Sequence, residues 1–419
     1  MNRLLAICLI SLSFASTSMA DIFHYNNLLV GERAMGLGGA FTAVSDDASG
    51  IMYNPAGIAF AISNDISGSA NAFYQRTITY KETIGQEDFI EKSNGNTAPF
   101  FGSLLKLDHI IDGLALAFGM VNLDSELKNQ NDFIANESLG LQRFHRTANI
   151  RAGTMGGGVA AALRIFSGTA IGIGVNVVTI DELVQEYQHV AYNDGRFLAQ
   201  NIRTHLQVNT MEYSFGLQTA FGQLSLGTNV KVRTILSESY DSGMDQTKNF
   251  DDVFTGSLAM LPVPIETFSN QTDKEPLKSL PWEVKVGMAW FASARLLLTA
   301  DVSYVAEAKE GSSQFDRNEV TNFATGAEYY ITPSVPVRVG AFTNNDTRDE
   351  VEDDKSGQAD HIDFVGTSLF FAWVQPNSQI SLGTVYQVGE GKAQKTTGSA
   401  TQDVEAESIT FAFSATHSL

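Results

Sequence analysis

Leu224-Ser225-Leu226-Gly227-Thr228-Asn229-Val230-Lys231-Val232-Arg233 alternates with a period of two: even positions carry Leu, Thr or Val, and odd positions carry Ser, Gly, Asn, Lys or Arg. Successive side chains of a strand point to opposite faces, so one face of this segment can meet lipid and the other water. The same pattern sets Met211, Tyr213, Phe215 and Leu217 against Glu212, Ser214, Gly216 and Gln218. It sets Trp282, Val284, Val286, Met288 and Trp290 against Glu283, Lys285, Gly287 and Ala289, and Ile409, Phe411 and Phe413 against Ser408, Thr410 and Ala412.

A soluble sandwich alternates too, so the connections decide. Strands are expected near 66–80, 97–107, 112–122, 143–166, 169–182, 205–221, 223–237, 281–292, 295–307, 320–331, 335–344, 361–374, 378–388 and 407–417. Short turns alternate with long polar loops near 81–96, 123–142, 183–204, 238–280, 308–319, 345–360 and 389–406. An even count with short turns on one side and long loops on the other predicts an all-β fold: a transmembrane antiparallel β-barrel of about fourteen strands at residues 63–419. Both chain ends then lie on the short-turn, periplasmic side. The strand near 361–374 is apolar on both faces, so its inward side is expected to face protein and not water.

Ahead of the strands runs GERAMGLGGAFTAVSDDASGIMYNPAGIAF, residues 31–60. Glycines at 31, 36, 38, 39, 50 and 57 and the Asn54-Pro55 turn signal break it too often for a barrel strand. Its Leu37, Phe41, Val44, Ile51, Met52 and Tyr53 nevertheless need burial. Residues 21–62 are therefore expected to form a plug, or hatch, in the lumen.

Residues 1–20 have the three parts of a cleavable export signal: Arg3, the apolar run from Leu4 to Ser13, and Ser18-Met19-Ala20 before the cut. The single cysteine, Cys8, leaves with the signal, which excludes disulfide and thiol chemistry from the exported chain. The formal charge of −20 argues against nucleic acid as a partner. Thirty-six glycines, 27 phenylalanines and 12 tyrosines suit an outer-membrane barrel.

Charges on the polar strand faces, Lys231, Arg233, Glu283, Lys285, Asp301, Glu328 and Arg338, are expected to pair in the lumen and hold the plug; rim charges are the alternative. The acidic loop with Asp346, Asp349, Glu350, Glu352, Asp353 and Asp354 lacks the spacing of a calcium loop. Seven scattered histidines form no metal motif, and no G-x-S-x-G elbow is present. No cofactor, metal site or catalytic residue is expected.

With these residues set out, a resemblance follows. Met35-Gly36-Leu37-Gly38-Gly39-Ala40, Asp46-Asp47-Ala48-Ser49 and Tyr53-Asn54-Pro55-Ala56-Gly57 resemble the N-terminal hatch of FadL-like outer-membrane transporters, the family of long-chain fatty-acid and aromatic-hydrocarbon channels. Pro281–Ala289, Leu298–Val302 and Asn322–Tyr329 are similar to the family's downstream strands, so the resemblance covers the mature chain. It implies passive uptake of hydrophobic compounds, with hatch-gated passage and sideways release through a kinked strand. Gly36, Gly38, Gly39, Asn54, Pro55 and Ala56 become the candidate gating residues, beside a purely structural turn as the alternative. Capture falls to Phe254, Leu258, Met260, Leu261, Val263, Ile265 and Phe268 in the largest loop, unless these only cap the barrel. The partners implied are hydrophobic small molecules, outer-membrane lipid and lipopolysaccharide. A second reading, an accessory barrel of a secretion system that presents its rim to a protein partner, stays open.

Overall fold

The computed structural model describes residues 22–27, 29–84, 86–137, 140–250, 260–309, 315–353, 355–395 and 400–419. The expected signal at 1–20, and Phe254 and Leu258, lie outside the described residues. The strands are β1 (Asp65–Ile84), β2 (Glu87–Lys106), β3 (Leu114–Asn136), β4 (Leu141–Phe166), β5 (Thr169–Tyr192), β6 (Phe197–Phe221), β7 (Leu224–Phe250) and β8 (Met260–Asp273). They continue as β9 (Glu283–Ser293), β10 (Leu296–Val305), β11 (Val320–Thr332), β12 (Val335–Asn344), β13 (His361–Gln375), β14 (Ser378–Ala393) and β15 (Gln402–Ser418).

Neighbours pair antiparallel throughout, β7 meets β9 through Leu224–Lys231, and β15 pairs back onto β1. Fourteen strands thus close a barrel, and no sheet edge is left in the hydrocarbon layer to expose backbone. The fifteenth, β8, pairs only with the far half of β7, from Tyr240 to Phe250. Phe101, Phe118, Phe215, Trp290, Phe323 and Phe413 point outward and are exposed, forming the apolar belt that alternation predicts. No helix among the described residues is long and apolar enough to cross a membrane.

All fourteen expected strands are found, but four expected loops are largely strand. Stretches 81–96, 123–142 and 183–204 are mostly continuations of β1 to β6, which leaves only short connections between β1 and β2, β3 and β4, and β5 and β6. The loop at 238–280 becomes the rest of β7 and β8, which corrects the placement of Met260, Leu261, Val263, Ile265 and Phe268: they lie on a strand. Beyond the lipid band both strand faces meet polar surroundings. The backbone still gains by pairing, while the side chains lose their alternation.

Candidate functional site: the filled lumen

Residues 29–61 run through the barrel interior. Three short helical stretches, Glu32–Gly36, Gly50–Tyr53 and Pro55–Phe60, are joined by tight turns in which Gly38 and Gly39 have φ of +64° and +82°. An L side chain rarely adopts that geometry, so these two positions require glycine. Val30, Leu37, Phe41, Val44, Ile51, Tyr53 and Ile58 are buried in one apolar cluster with wall residues Leu104, Ala115, Ala117, Ala160, Ala162 and Ala170. Small wall residues leave the bore open enough for a folded segment.

The closest approach is made by six glycines standing in three cross-strand pairs. Gly172 faces Gly216, Gly227 faces Gly287, and Gly326 faces Gly340. A Cβ on Gly172 would lie 2.7 Å from the Pro55 carbonyl oxygen, and one on Gly216 would lie 2.8 Å from the Ala56 nitrogen. At Gly227 and Gly287 it would come within 2.9 Å of Ala43 Cα and Thr42 Cβ. At Gly326 and Gly340 it would meet Leu37 Cα at 2.8 Å and Gly38 Cα at 2.6 Å. Wall and lumen segment therefore meet backbone to backbone at three seats.

Polar contacts are unevenly shared. On the side of β9 to β14, Asp301 Oδ2 accepts from the Phe41 and Thr42 N–H groups at 3.0 and 2.9 Å. Arg33 donates to both oxygens of Glu328 at 3.2 and 3.1 Å and pairs with Asp46 at 2.8 Å. Arg338 bridges Glu328, at 2.6 Å, and Glu32. Ser368 Oγ donates to the Gly36 carbonyl at 3.1 Å. Met35 packs with Phe370 of β13, so the inward face of that strand meets the lumen segment as expected. The turn Asn54-Pro55-Ala56 lies on the other side, against β5 and β6. Asn54 Oδ1 accepts from Ala56 N–H at 3.1 Å, and Nδ2 donates to Thr42 O at 2.8 Å and to the wall at Leu217 O at 3.1 Å.

The seven charges read from the strands all sit on the inner wall. Lys231, Arg233, Glu283 and Lys285 form one group with Glu212: Arg233 reaches Glu212 and Glu283 at 2.9 Å each, Lys285 reaches Glu283 at 3.2 Å, and Lys231 reaches Glu212 at 3.4 Å. Arg233 also lies 5.6 Å from the Tyr25 ring. Glu328 and Arg338 belong with Glu32 and Arg33, and Asp301 stands apart as an acceptor for backbone. Removing one member of such a buried group strands its partner, which is why they occur in sets.

Strand patterning did not single out Glu32, Arg33 or Glu212, although Glu32 and Arg33 are adjacent charges within an apolar stretch. It also missed a second buried group of Glu91, Lys128, Arg146 and Glu186 near the far end of β2 to β5. Met260, Val263, Ile265 and Phe268 on β8 are exposed and far from these seats, Phe268 at 76%.

Upstream, residues 22–27 climb toward the long-connection end. Tyr25 and Asn26 N–H groups donate to Asn344 Oδ1 at 3.1 and 2.9 Å, Thr347 Oγ1 donates to Phe23 O at 2.9 Å, and His24 Nε2 lies 2.7 Å from Ile362 O. At the opposite end, beneath the lumen segment, a cavity of about 430 Å³ is lined by the charged Glu32, Arg33, Asp46, Asp47, Asp65 and Arg338 together with serines and the apolar Ile62, Phe100 and Val374.

No protein-family model matches the sequence, and no curated protein matches it. Solved structures do match its fold. A FadL homologue of Pseudomonas aeruginosa aligns over 94% of this chain and 99% of its own, with a TM-score of 0.63 and 13% identity. The toluene transporter TodX of P. putida aligns over 93% and 98%, at 0.67 and 11%. The toluene transporter TbuX of Ralstonia pickettii aligns over 94% and 99%, at 0.60 and 12%. The chain thus has the fold of FadL-like hydrocarbon channels over nearly its whole length.

Proposed function

We propose that this chain is a FadL-like outer-membrane channel for passive uptake of hydrophobic compounds, long-chain fatty acids or related hydrocarbons, and performs no chemistry. In this reading residues 1–20 direct export, residues 21–62 are the hatch, and residues 63–419 are the barrel. The carrying observation is the way the bore is filled. Among the described residues, the Asn54–Ala56 turn is held to the wall by glycine contacts and one hydrogen bond to Leu217 O, with Ser225 Oγ donating to the nearby Ala43 carbonyl at 2.7 Å, so it can leave its seat without unzipping a ladder. The fold shared with two proteins named as toluene transporters supports the class of cargo.

Sideways release is the finer part of the proposal. An apolar molecule entering the cavity beneath the hatch would touch Ile62, Phe100 and Val374, but would also displace water from the carboxylates, guanidinium groups and serine hydroxyls beside them. The β2–β3 ladder lapses between Phe100–Val121 and Asn94–Leu127, with Gly95 against the Ser125 carbonyl, and this interrupted stretch is where the proposal puts the exit. The test is uptake of labelled fatty acids, alkanes and monoaromatics by cells expressing the intact chain or a form lacking Gly31–Phe60, with membrane insertion checked for both. Selective uptake that changes on hatch removal supports the reading; no uptake by the correctly inserted intact chain overturns it. Exposed Val263 and Phe268 on β8 favour, as the second reading, a protein partner at the rim; photo-crosslinking from position 268 in cells would reveal one.

A further inference from the structure

The β2–β3 seam has a second property. Phe100–Lys106 of β2 pairs with Ala115–Val121 of β3, and the strands touch once more at Asn94–Leu127 in the same register. Beyond that bridge β2 pairs only with β1, and β3 only with β4. The strands are splayed, not slipped. One side chain spans the split on its outer part: the Lys92 N–H donates to Gln130 Oε1 at 3.1 Å, and Gln130 Nε2 donates to Ile90 O at 2.7 Å. On the lumen side Glu91 closes it, pairing with Lys128 at 2.8 Å and Arg146 at 3.1 Å.

What remains is an outward groove of about 820 Å³. Its foot carries Phe73, which lies beside Phe411 at the top of the apolar belt, and then Leu127 opposite Asn94. Above these stand Lys92 and Asn129 and then Ile90 and Asn131, and its one carboxylate, Asp132, turns inward toward Arg146 and Gln130. Two strand edges add backbone donors and acceptors that no ladder uses. With Phe73 and Leu127 low and Lys92, Asn129 and Asn131 above, Ile90 being the apolar exception, the groove has the polarity of a lipid standing in the outer leaflet. A purely apolar occupant would cover the foot and leave the backbone edges, Asn94 and Asn129 to be satisfied by water alone. Sugar hydroxyls both donate and accept, and a phosphate would answer Lys92.

We propose that this groove binds the phosphorylated sugar head of an outer-leaflet glycolipid, with the root of an acyl chain on Phe73 and Leu127. The proposal rests on the outer-membrane placement above, and does not depend on what the barrel transports.

The test uses the full barrel in an uncharged detergent and rough-type lipopolysaccharide as probe, intact or chemically dephosphorylated, with binding followed by native mass spectrometry and by titration of a fluorescent form. Lys92→Glu should weaken binding of intact probe by roughly tenfold and leave dephosphorylated probe unchanged. Asn94→Leu with Asn129→Leu should weaken both. Lys309→Glu, on the rim, should weaken neither. Heat-modified gel mobility checks that each variant is folded. Unchanged affinity in the folded groove variants overturns the proposal, as does displacement of the probe by oleate or decane at groove occupancy, which would assign the groove to transported ligand. Uptake assayed on the same variants separates the two ideas: loss of probe binding with normal uptake upholds the groove, and absence of uptake in the unaltered chain speaks only against transport.

Discussion

Gly216 faces Gly172 across β6 and β5 at the height of Pro55, and neither position has room for a Cβ. Gly216→Val would drive a branched side chain into Asn54 and Ala56. The expected result is a folded barrel whose hatch no longer seats, with a cost of about 1–3 kcal/mol. Single-channel conductance and sensitivity of cells to large antibiotics should both rise. Wild-type conductance in a folded variant would show that the seat does not hold the hatch.

Asp301 accepts from the Thr42 N–H and shares the Phe41 N–H with the Gly39 carbonyl. Asp301→Asn keeps an oxygen there, whereas Asp301→Ala leaves the buried Thr42 N–H open at about 1–3 kcal/mol. Thermal unfolding in detergent should therefore rank wild type above Asn and Asn above Ala.

Glu328 serves two guanidinium groups. Glu328→Ala should destabilise by up to roughly 3–5 kcal/mol, because Arg33 then keeps only Asp46 and Arg338 only Glu32 among their carboxylates. Adding Arg338→Met should recover part of that loss. A double variant as unstable as the single one would count against the network.

Near the far mouth, burial would raise the Asp346 carboxyl, but Arg348 and His24 bring it below its ordinary 3.8. A lowered carboxylate stabilises the fold above the unfolded value and loses that contribution as pH falls through the folded one. The anchorage of residues 22–27 should thus hold from neutrality to about pH 4 and loosen below. Protease cleavage near the amino end, followed against pH, should show this rise, and Asp346→Asn should flatten it.

Alternation made the fourteen wall strands legible, because lipid on one side and polar lumen on the other sort residues such as Val230 and Lys231 at each step. It stops near 237, beyond which neither face of β7 is apolar, and so the rest of β7 and β8 read as loop. The seven inner-wall charges were legible for the same reason. Their partners Glu32, Arg33 and Glu212 were not, since partnership depends on how far around the barrel each strand falls. The glycine seats were hidden likewise: Gly227 and Gly287 are 60 positions apart, and only the β7–β9 register brings them together.

That separation bears on how the molecule comes to exist. In the export proposed above, the segment at 29–61 would cross the inner membrane ahead of the wall, yet its seats are built from residues 172 to 340. It must wait, apolar and without a home, while most of the wall is made. Biogenesis therefore has a vulnerable interval, in which a periplasmic chaperone has this segment to shield, and the last event is docking into a nearly finished cylinder.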